Sequence, residues 1–431
     1  MLAAAAKTEL WAQTPADVRL EIAPLALEIA PKKTIHTVAY NGAVPGPLIR
    51  WPEDKRITID VVNHSQVPEI VHWHGLWIPS DQDGAMEEGS PMIAPGGKRR
   101  YGFAARPAGF RWYHTHAFAG HDLKRGGYTG QFGCFYIEPR HDPGAYDQEI
   151  FLTLHDWNAY MGGGGDSSMD AFYDYATINS RMLGHGDPIK VNRGQRLLFH
   201  VLNASATATH WLALAGHEFT VVGMDGNEVP QSAKVPAVRL APAERIDLLV
   251  DMNRPGAWVL GETRSDIRNA GMGIVVEYAG QQGEPKWIDP PEMVWDYARF
   301  AKPGSAAEPD ERILLVFESK FRGHGDFDYW MINGKSYPKT DTITLKEGRR
   351  YRLALRNKSS DDHPIHLHRH TFEVASLDGN PLSGLRKDVV VVKANSEAEI
   401  DFIAANPGPT LFHCHQQSHM DFGFMMLFRY M

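Results

Sequence analysis

Residues 413–419 read His413-Cys414-His415-Gln416-Gln417-Ser418-His419. On an extended strand, side chains at i and i+2 share a face and i+1 points the other way. His413 and His415 can therefore reach one metal site while Cys414 reaches another. His419 lies close enough along the chain to join Cys414. A thiolate combined with imidazoles suits a blue-copper centre. Cys414 is wired through its own backbone to the histidines beside it, so electron transfer from one copper to others is the leading chemistry. Three further segments offer paired imidazoles: His72-Trp73-His74-Gly75, His114-Thr115-His116 and His363-Pro364-Ile365-His366-Leu367-His368. One His-x-His pair is weak evidence. Four such segments, one built around a cysteine, are hard to reach by chance, and histidine is the commonest ligand for metals of this type.

In order and spacing, these motifs resemble the four copper signatures of the three-domain, laccase-like multicopper oxidases. The resemblance spans the chain from His72 to His419 and implies one type 1, one type 2 and two type 3 coppers. It gives His363, Cys414 and His419 to type 1 copper and His72 and His366 to type 2. The type 3 pair takes His74, His114, His116, His368, His413 and His415. It implies a small reducing substrate that delivers electrons through an exposed imidazole, His419 or His363. Cys414 passes them to His413 and His415, and dioxygen is reduced to water. Asp83 matches an acidic position beside the cluster and is expected to relay protons; the plainer alternative is an Asp-Gly turn with Gly84. Phe424 occupies the axial position of the type 1 site. It cannot donate to copper, which leaves three ligands; a frame slip would bring in Met425 instead. Arg369 stands where the family usually has Gly, so either the turn is altered or Arg369 holds a carboxylate. Met420 stands where several bacterial relatives carry Glu, and Asp421 is a possible substitute.

The elements that must position these residues recur. Each of three copies begins at a turn-like asparagine, Asn41-Gly42, Asn179-Ser180 or Asn333-Gly334. An alternating strand ending in Asn63, Asn203 or Asn357 follows, then a glycine turn at Gly109, Gly256 or Gly408 leading into another strand. Aligned on that glycine, His114 matches Gly261 and His413, and His116 matches Thr263 and His415. The middle copy has lost its ligands and reads as a spacer. Short β-rich runs punctuated by Gly, Pro, Asn and Asp indicate sandwiches. The expected fold is all-β: three cupredoxin-like Greek-key β-barrel or sandwich domains over 1–143, 144–282 and 283–431. The first and third would meet and share the trinuclear cluster. The stretch from Gln281 to Glu311 reads as a linker whose Trp287 and Trp295 either pack on the barrels or line a route for substrate. Asn63-His64-Ser65, Asn203-Ala204-Ser205 and Asn357-Lys358-Ser359 match a glycosylation sequon, but a structural turn explains their recurrence better.

Bulk properties agree. A chain of 431 residues suggests about three domains. A formal net charge of −8 gives no reason to expect nucleic acid or an anionic membrane as partner. No apolar run reaches the length of a membrane span, and three domains in one chain remove the need for a trimer, so a monomer is expected. Of the two cysteines, Cys414 is assigned to copper, which leaves Cys134 as a packed free thiol. Met1 to Lys7 reads as the stub of a removed signal peptide, and the family is mostly exported, so a periplasmic or secreted protein is expected. The 15 methionines are dispersed, with only Met420, Met425, Met426 and Met431 close together. Core packing explains these better than recruitment of a soft metal. Oxidation of phenols or aromatic amines is thus preferred. A cuprous or ferrous metal-ion oxidase acting in copper tolerance is the alternative. A non-catalytic copper-binding electron carrier would need only the type 1 set.

Overall fold

Strand alternation sets the architecture. In Arg56–Asn63 the apolar Ile57, Ile59 and Val61 are fully buried and alternate with more polar positions, the period-two pattern of a strand with one face on a core. The computed structural model describes residues 15–140, 144–162, 169–281, 283–323 and 326–431. The stretch Met1 to Lys7, read above as a leader remnant, lies outside the described residues, as do 143 and 282, where two domain limits were expected. Among the described residues no helix is long and apolar enough to cross a membrane. Among the described residues the α-helices are single turns of four or five residues.

Three sandwiches follow one another. The first packs a sheet ordered Lys33–Tyr40, Val18–Ala30, Arg56–Asn63, Lys98–Ala104 on a sheet ordered Gly46–Pro52, Phe132–Glu138, Gly109–Thr115, Val71–His74. The second pairs a six-stranded with a five-stranded sheet, and the third an eight-stranded with a five-stranded sheet. One register recurs in all three. Val71 pairs with Thr115, Leu212 with Glu262, and Ile365 with Cys414. The repeat seen in sequence is thus a repeat of hydrogen-bonded ladders.

The recurring asparagines hold these ladders in place. Asn41, Asn179 and Asn333 adopt left-handed backbone conformations at φ of 52°, 49° and 51°, which asparagine tolerates better than most residues. Each accepts a backbone N–H from the first strand of its copy, at Glu21, Thr153 or Val316. The side chains of Asn63, Asn203 and Asn357 are buried, and each binds backbone groups at both ends of its amide. A glycan has no room there, as the recurrence suggested.

Apolar packing joins the copies. Phe110, Trp112 and Phe132 of the first share a cluster with Trp157 and Leu202 of the second and Val389 of the third. Between the second and third, the linker buries Trp295 and Phe300 in the largest core, while Trp287 stacks under Arg268, 3.9 Å from guanidinium carbon to ring centroid. Both tryptophans therefore pack. Cys134 is a buried free thiol, and burial pushes it up to about 12.

Candidate metal centre

Two ladders from different domains bring the histidines together. In the first domain His72 pairs with His114; in the third, His366 pairs with His413. Alternation sends Trp73 into the first core and Leu367 into the third, so the flanking histidines face the seam. There the rings interlock: His74 stacks on His366 at 3.8 Å between centroids, and His72 on His368 at 4.1 Å. Potential ligand atoms fall within 4.8 Å of one another in three such seam groups: His72, His74 and His366; His74, His114 and His415; and His116, His368 and His413. A fourth group joins His363, Cys414 and His419. Every histidine and the cysteine singled out from sequence lies in one of these groups.

The ring nitrogens decide whether a metal fits. His72 Nδ1 donates to the Asp83 carbonyl at 2.9 Å, His114 Nδ1 to the Thr115 carbonyl at 2.8 Å, and His366 Nδ1 to the Asp388 carbonyl at 2.7 Å. In each case the buried Nε2 has no hydrogen-bond partner. His74 is reversed: Nε2 faces Asp388 Oδ1 at 3.1 Å and Nδ1 is left without a partner. An imidazole anchored by an oxygen on one nitrogen and bare on the other is the form that ligates a metal. Leaving so many buried nitrogens unmatched would cost about 1–3 kcal/mol each. Burial, reinforced by the neighbouring rings, holds His74, His114 and His368 well below the usual histidine range. Neutral imidazole is again the ligating form. The residues present fit a cluster of copper ions.

The fourth group is smaller. Cys414 Sγ lies 3.7 Å from His363 Nδ1 and 3.6 Å from His419 Nδ1. Ser359 Oγ binds His363 Nε2 at 2.7 Å and so directs Nδ1 to the sulfur. Burial pushes the Cys414 thiol well up, so only a bound cation would make it a thiolate there. Phe424 packs on His363, with centroids 4.7 Å apart, whereas Met425 packs with Ala85, Leu411 and Met420. The expectation of an exposed imidazole is corrected: His363 is fully buried and His419 is 6% exposed. Trp330 covers His419, stacked at 3.9 Å.

Asp83 ends a single helical turn and is fully buried, with Oδ2 2.7 Å from His368 Nδ1 and 3.0 Å from His72 Nδ1. The turn reading also holds: Gly84 has φ 93°, and a Cβ there would lie 1.8 Å from the Val71 carbonyl oxygen. Arg369 resolves differently from either alternative. It takes the left-handed conformation itself, at φ 61°. Its guanidinium binds the carbonyls of Ile78, Asn406, Pro407 and Pro409 rather than a carboxylate. Met420 is buried. Asp421 binds Gln417 and the backbone N–H groups of Ala119 and Gly120.

Two acids escaped sequence reading. Glu88 is buried with Oε1 3.5 Å from His368 Nδ1, and accepts the Leu411 N–H at 2.6 Å. Burial and then repulsion from Asp83 hold its carboxyl well above the usual range. Asp388 anchors His74 by its side chain and His366 by its carbonyl. Arg245 from the middle domain grips both its oxygens at 2.6 Å, and Arg111 from the first lies 3.4 Å from Oδ2. Lys387 adjoins them, bonded to Asp225 at 3.0 Å and Glu244 at 3.1 Å. These six charges balance, and none is more than 3% exposed. Burial works against the Asp388 anion, but Arg245, with His366 and Arg111, outweighs it and holds the carboxyl below its usual range. The middle domain brings no histidine to the four groups, yet it supplies the arginine that fixes two of them. Gly75 is explained here: a Cβ on it would lie 2.5 Å from Asp388 Oδ2. The apolar run after Asp388 marks a strand, but no spacing rule could place that strand against His74.

Three cupredoxin-like sandwiches with a histidine seam and a cysteine-centred neighbour define a copper protein. Family models described as multicopper oxidase match residues 22–142, 149–277 and 310–431. The chain belongs to the multicopper oxidases, copper-dependent oxidoreductases with dioxygen as electron acceptor and copper of types 1, 2 and 3 as cofactor. It is 28% identical to multicopper oxidase MmcO of Mycobacterium tuberculosis over 89% of this chain and 81% of that protein. It is 24% identical to multicopper oxidase mco of Staphylococcus aureus, over 90% and 83%. Among solved structures, Fet3p, a multicopper oxidase that functions in iron import, superposes with a TM-score of 0.80 at 20% identity over 96% of this chain and 90% of that one. A multi-copper oxidase from Pseudomonas thermotolerans gives 0.75 at 25% identity over 97% and 100%.

Proposed function

We propose a laccase-like reaction: one-electron oxidation of phenols or aromatic amines coupled to four-electron reduction of dioxygen to water. Cys414 carries this reading, because it sits in the fourth group while its chain neighbours His413 and His415 sit in the seam. His363, Cys414 and His419 would hold type 1 copper. His72 and His366 would hold type 2. His74, His114 and His415 would hold one type 3 ion, and His116, His368 and His413 the other. Bound copper supplies one-electron acceptance and multi-electron reduction of dioxygen. The protein supplies rings fixed in one tautomer, a buried seam and protons. Asp83 orients His72 and His368 and can carry a proton on Oδ1, which has no hydrogen-bond partner. Asp83→Asn keeps the shape but loses the acid. Stopped-flow reoxidation should slow by about a hundredfold with the blue band intact; an equal rate would remove the role. Phe424 packs on His363 and offers no donor atom, so type 1 copper would be held by His363, Cys414 and His419 alone, which would raise its potential. Phe424→Met should lower it by about 60 mV, a tenfold shift toward the oxidised ion, in a redox titration; no change would place another residue on the axis.

The substrate rests on what surrounds His419. Met420, Met425 and Met426 are core residues, not a soft-metal surface. The covering is aromatic: Trp330 stacks on His419, and Arg322 lies over the half-exposed Tyr329 and over Phe422, which packs on Phe327. A metal-ion oxidase has one observation in its favour. Burial and mutual repulsion among Asp170, Asp328, Asp361 and Asp362 hold Asp170 and Asp361 above the usual carboxylate range, and Asp361 stands beside His363. Such oxygens suit ferrous better than cuprous ion. Turnover of a phenol, an aromatic diamine, ferrous and cuprous ions, measured side by side, tests this. We expect the organic substrates to have the higher kcat/KM; a higher ferrous or cuprous value would select the alternative. The reading extends to a monomer of three domains, 1–143, 144–282 and 283–431, working in the periplasm or outside the cell.

A further inference from the structure

The recurring ladder gives each domain one equivalent interior position. Val71–Thr115, Leu212–Glu262 and Ile365–Cys414 are matched pairs. The residue two places before the first member of each pair is Glu69, His210 or His363. In the third domain that position faces Cys414 and belongs to the proposed type 1 set. In the middle domain His210 is closed between Asp156 at 2.8 Å and Glu262 at 3.0 Å. In the first domain Glu69 faces Thr115, with Oε2 accepting from Thr115 Oγ1 at 3.3 Å. Thr115 stands between His114 and His116 as Cys414 stands between His413 and His415.

Thr115 and Gln131, the two partners of Glu69, open on the seam. A cavity of about 30 Å³ is lined by Thr115, Gln131, His114, His116 and His413, and it is large enough for water. Gln131 Oε1 is buried there without a hydrogen-bond partner, and Gln131 also bonds Glu69. Glu69 is 4% exposed.

We infer that Glu69 is a proton-relay residue that feeds the type 3 face through Thr115, with Gln131 holding its carboxyl in place. The inference rests on the oxidase reading above. One turnover takes four electrons from the reducing substrate and four protons, and makes two waters from one dioxygen. In the relay, the Thr115 hydroxyl turns its hydrogen from Glu69 toward the cavity, a protonated Glu69 donates to Thr115 Oγ1 in its place, and the Glu69 O–H bond breaks as that proton crosses. Thr115 releases its own proton into the cavity toward an oxygen of the dioxygen being reduced. The Glu69 carboxylate then recovers a proton from solvent. Glu69 acts through Thr115 and does not touch the reacting atoms. Its surroundings favour holding a proton near neutrality. Burial raises it to about 7, against the hydrogen bonds from Gln131 and Thr115 and the charge of Arg125. Tyr40 also interacts with it.

Two measurements test this. In the copper-free full chain, infrared titration should show a protonated carboxyl that loses its proton as pH rises through about 7, and Glu69→Gln should remove that band. In the copper-loaded chain, reoxidation by dioxygen should slow as pH rises through the same range. Glu69→Gln should abolish that step and lower the acid-side rate about tenfold, with copper content unchanged. Glu69→Asp should restore the step. Thr115→Val should lose the step yet keep the infrared band. A Glu69→Gln variant that follows the wild-type pH curve, or a wild type without the band, overturns the relay alone. A wild type that takes up no dioxygen overturns the oxidase reading and the relay with it.

Discussion

Cys414→Ser should lose the blue colour, one copper per chain and at least about a thousandfold of its activity toward every reducing substrate. The sulfur is the shared neighbour of His363 and His419, at 3.7 and 3.6 Å, and a hydroxyl at that place is too hard and too weakly acidic to substitute. His413 and His415 keep their places on either side of the substituted residue, so the seam should keep its copper. Dioxygen should still reoxidise a chemically reduced seam. Metal analysis, visible absorption and turnover on one preparation check this. A blue variant, or one with full copper and full turnover, would remove Cys414 from the centre.

The second large effect is expected at Asp388. Asp388→Ala would leave Arg245 and Arg111 buried without their shared anion and free the His74 ring, while the backbone carbonyl that anchors His366 stays in place. Breaking a buried pair in this way costs about 3–5 kcal/mol. In the copper-free protein that corresponds to a fall in melting temperature of about 10 °C. The same variant should lose copper from the seam and keep the blue centre, because Asp388 contacts none of His363, Cys414 and His419. Arg245→Met tests the domain junction separately: it should also weaken seam copper, although it lies in the domain without ligands. An unchanged melting temperature together with unchanged copper would mean that the six-charge group is only a satisfied interface.

What the sequence could give was whatever repeats or alternates. The paired histidines, Cys414 and the three-fold ladder are local patterns with fixed periods, and the structure places them together. Asp83 was legible because it lies near His72 in the chain. Asp388, Arg245 and Glu88 were not. His74 meets Asp388 across 314 residues, and Arg245 meets Asp388 across 143; contacts of that range follow from how domains dock, which carries no local period. Glu69 was hidden for another reason. Its importance comes from occupying the place that His363 holds in the third domain, and the matched residue types differ. The exposed imidazole failed because Trp330, remote in sequence, covers His419. Arg369 showed that a long cation can replace a turn glycine when enough carbonyls surround it.

The most direct measurement is copper per chain together with electrons consumed per dioxygen on the same purified protein. The account predicts about four coppers and four electrons per dioxygen, with water as the product and no peroxide. A single copper, or peroxide formed at two electrons per dioxygen, would contradict the shared seam on which everything else depends.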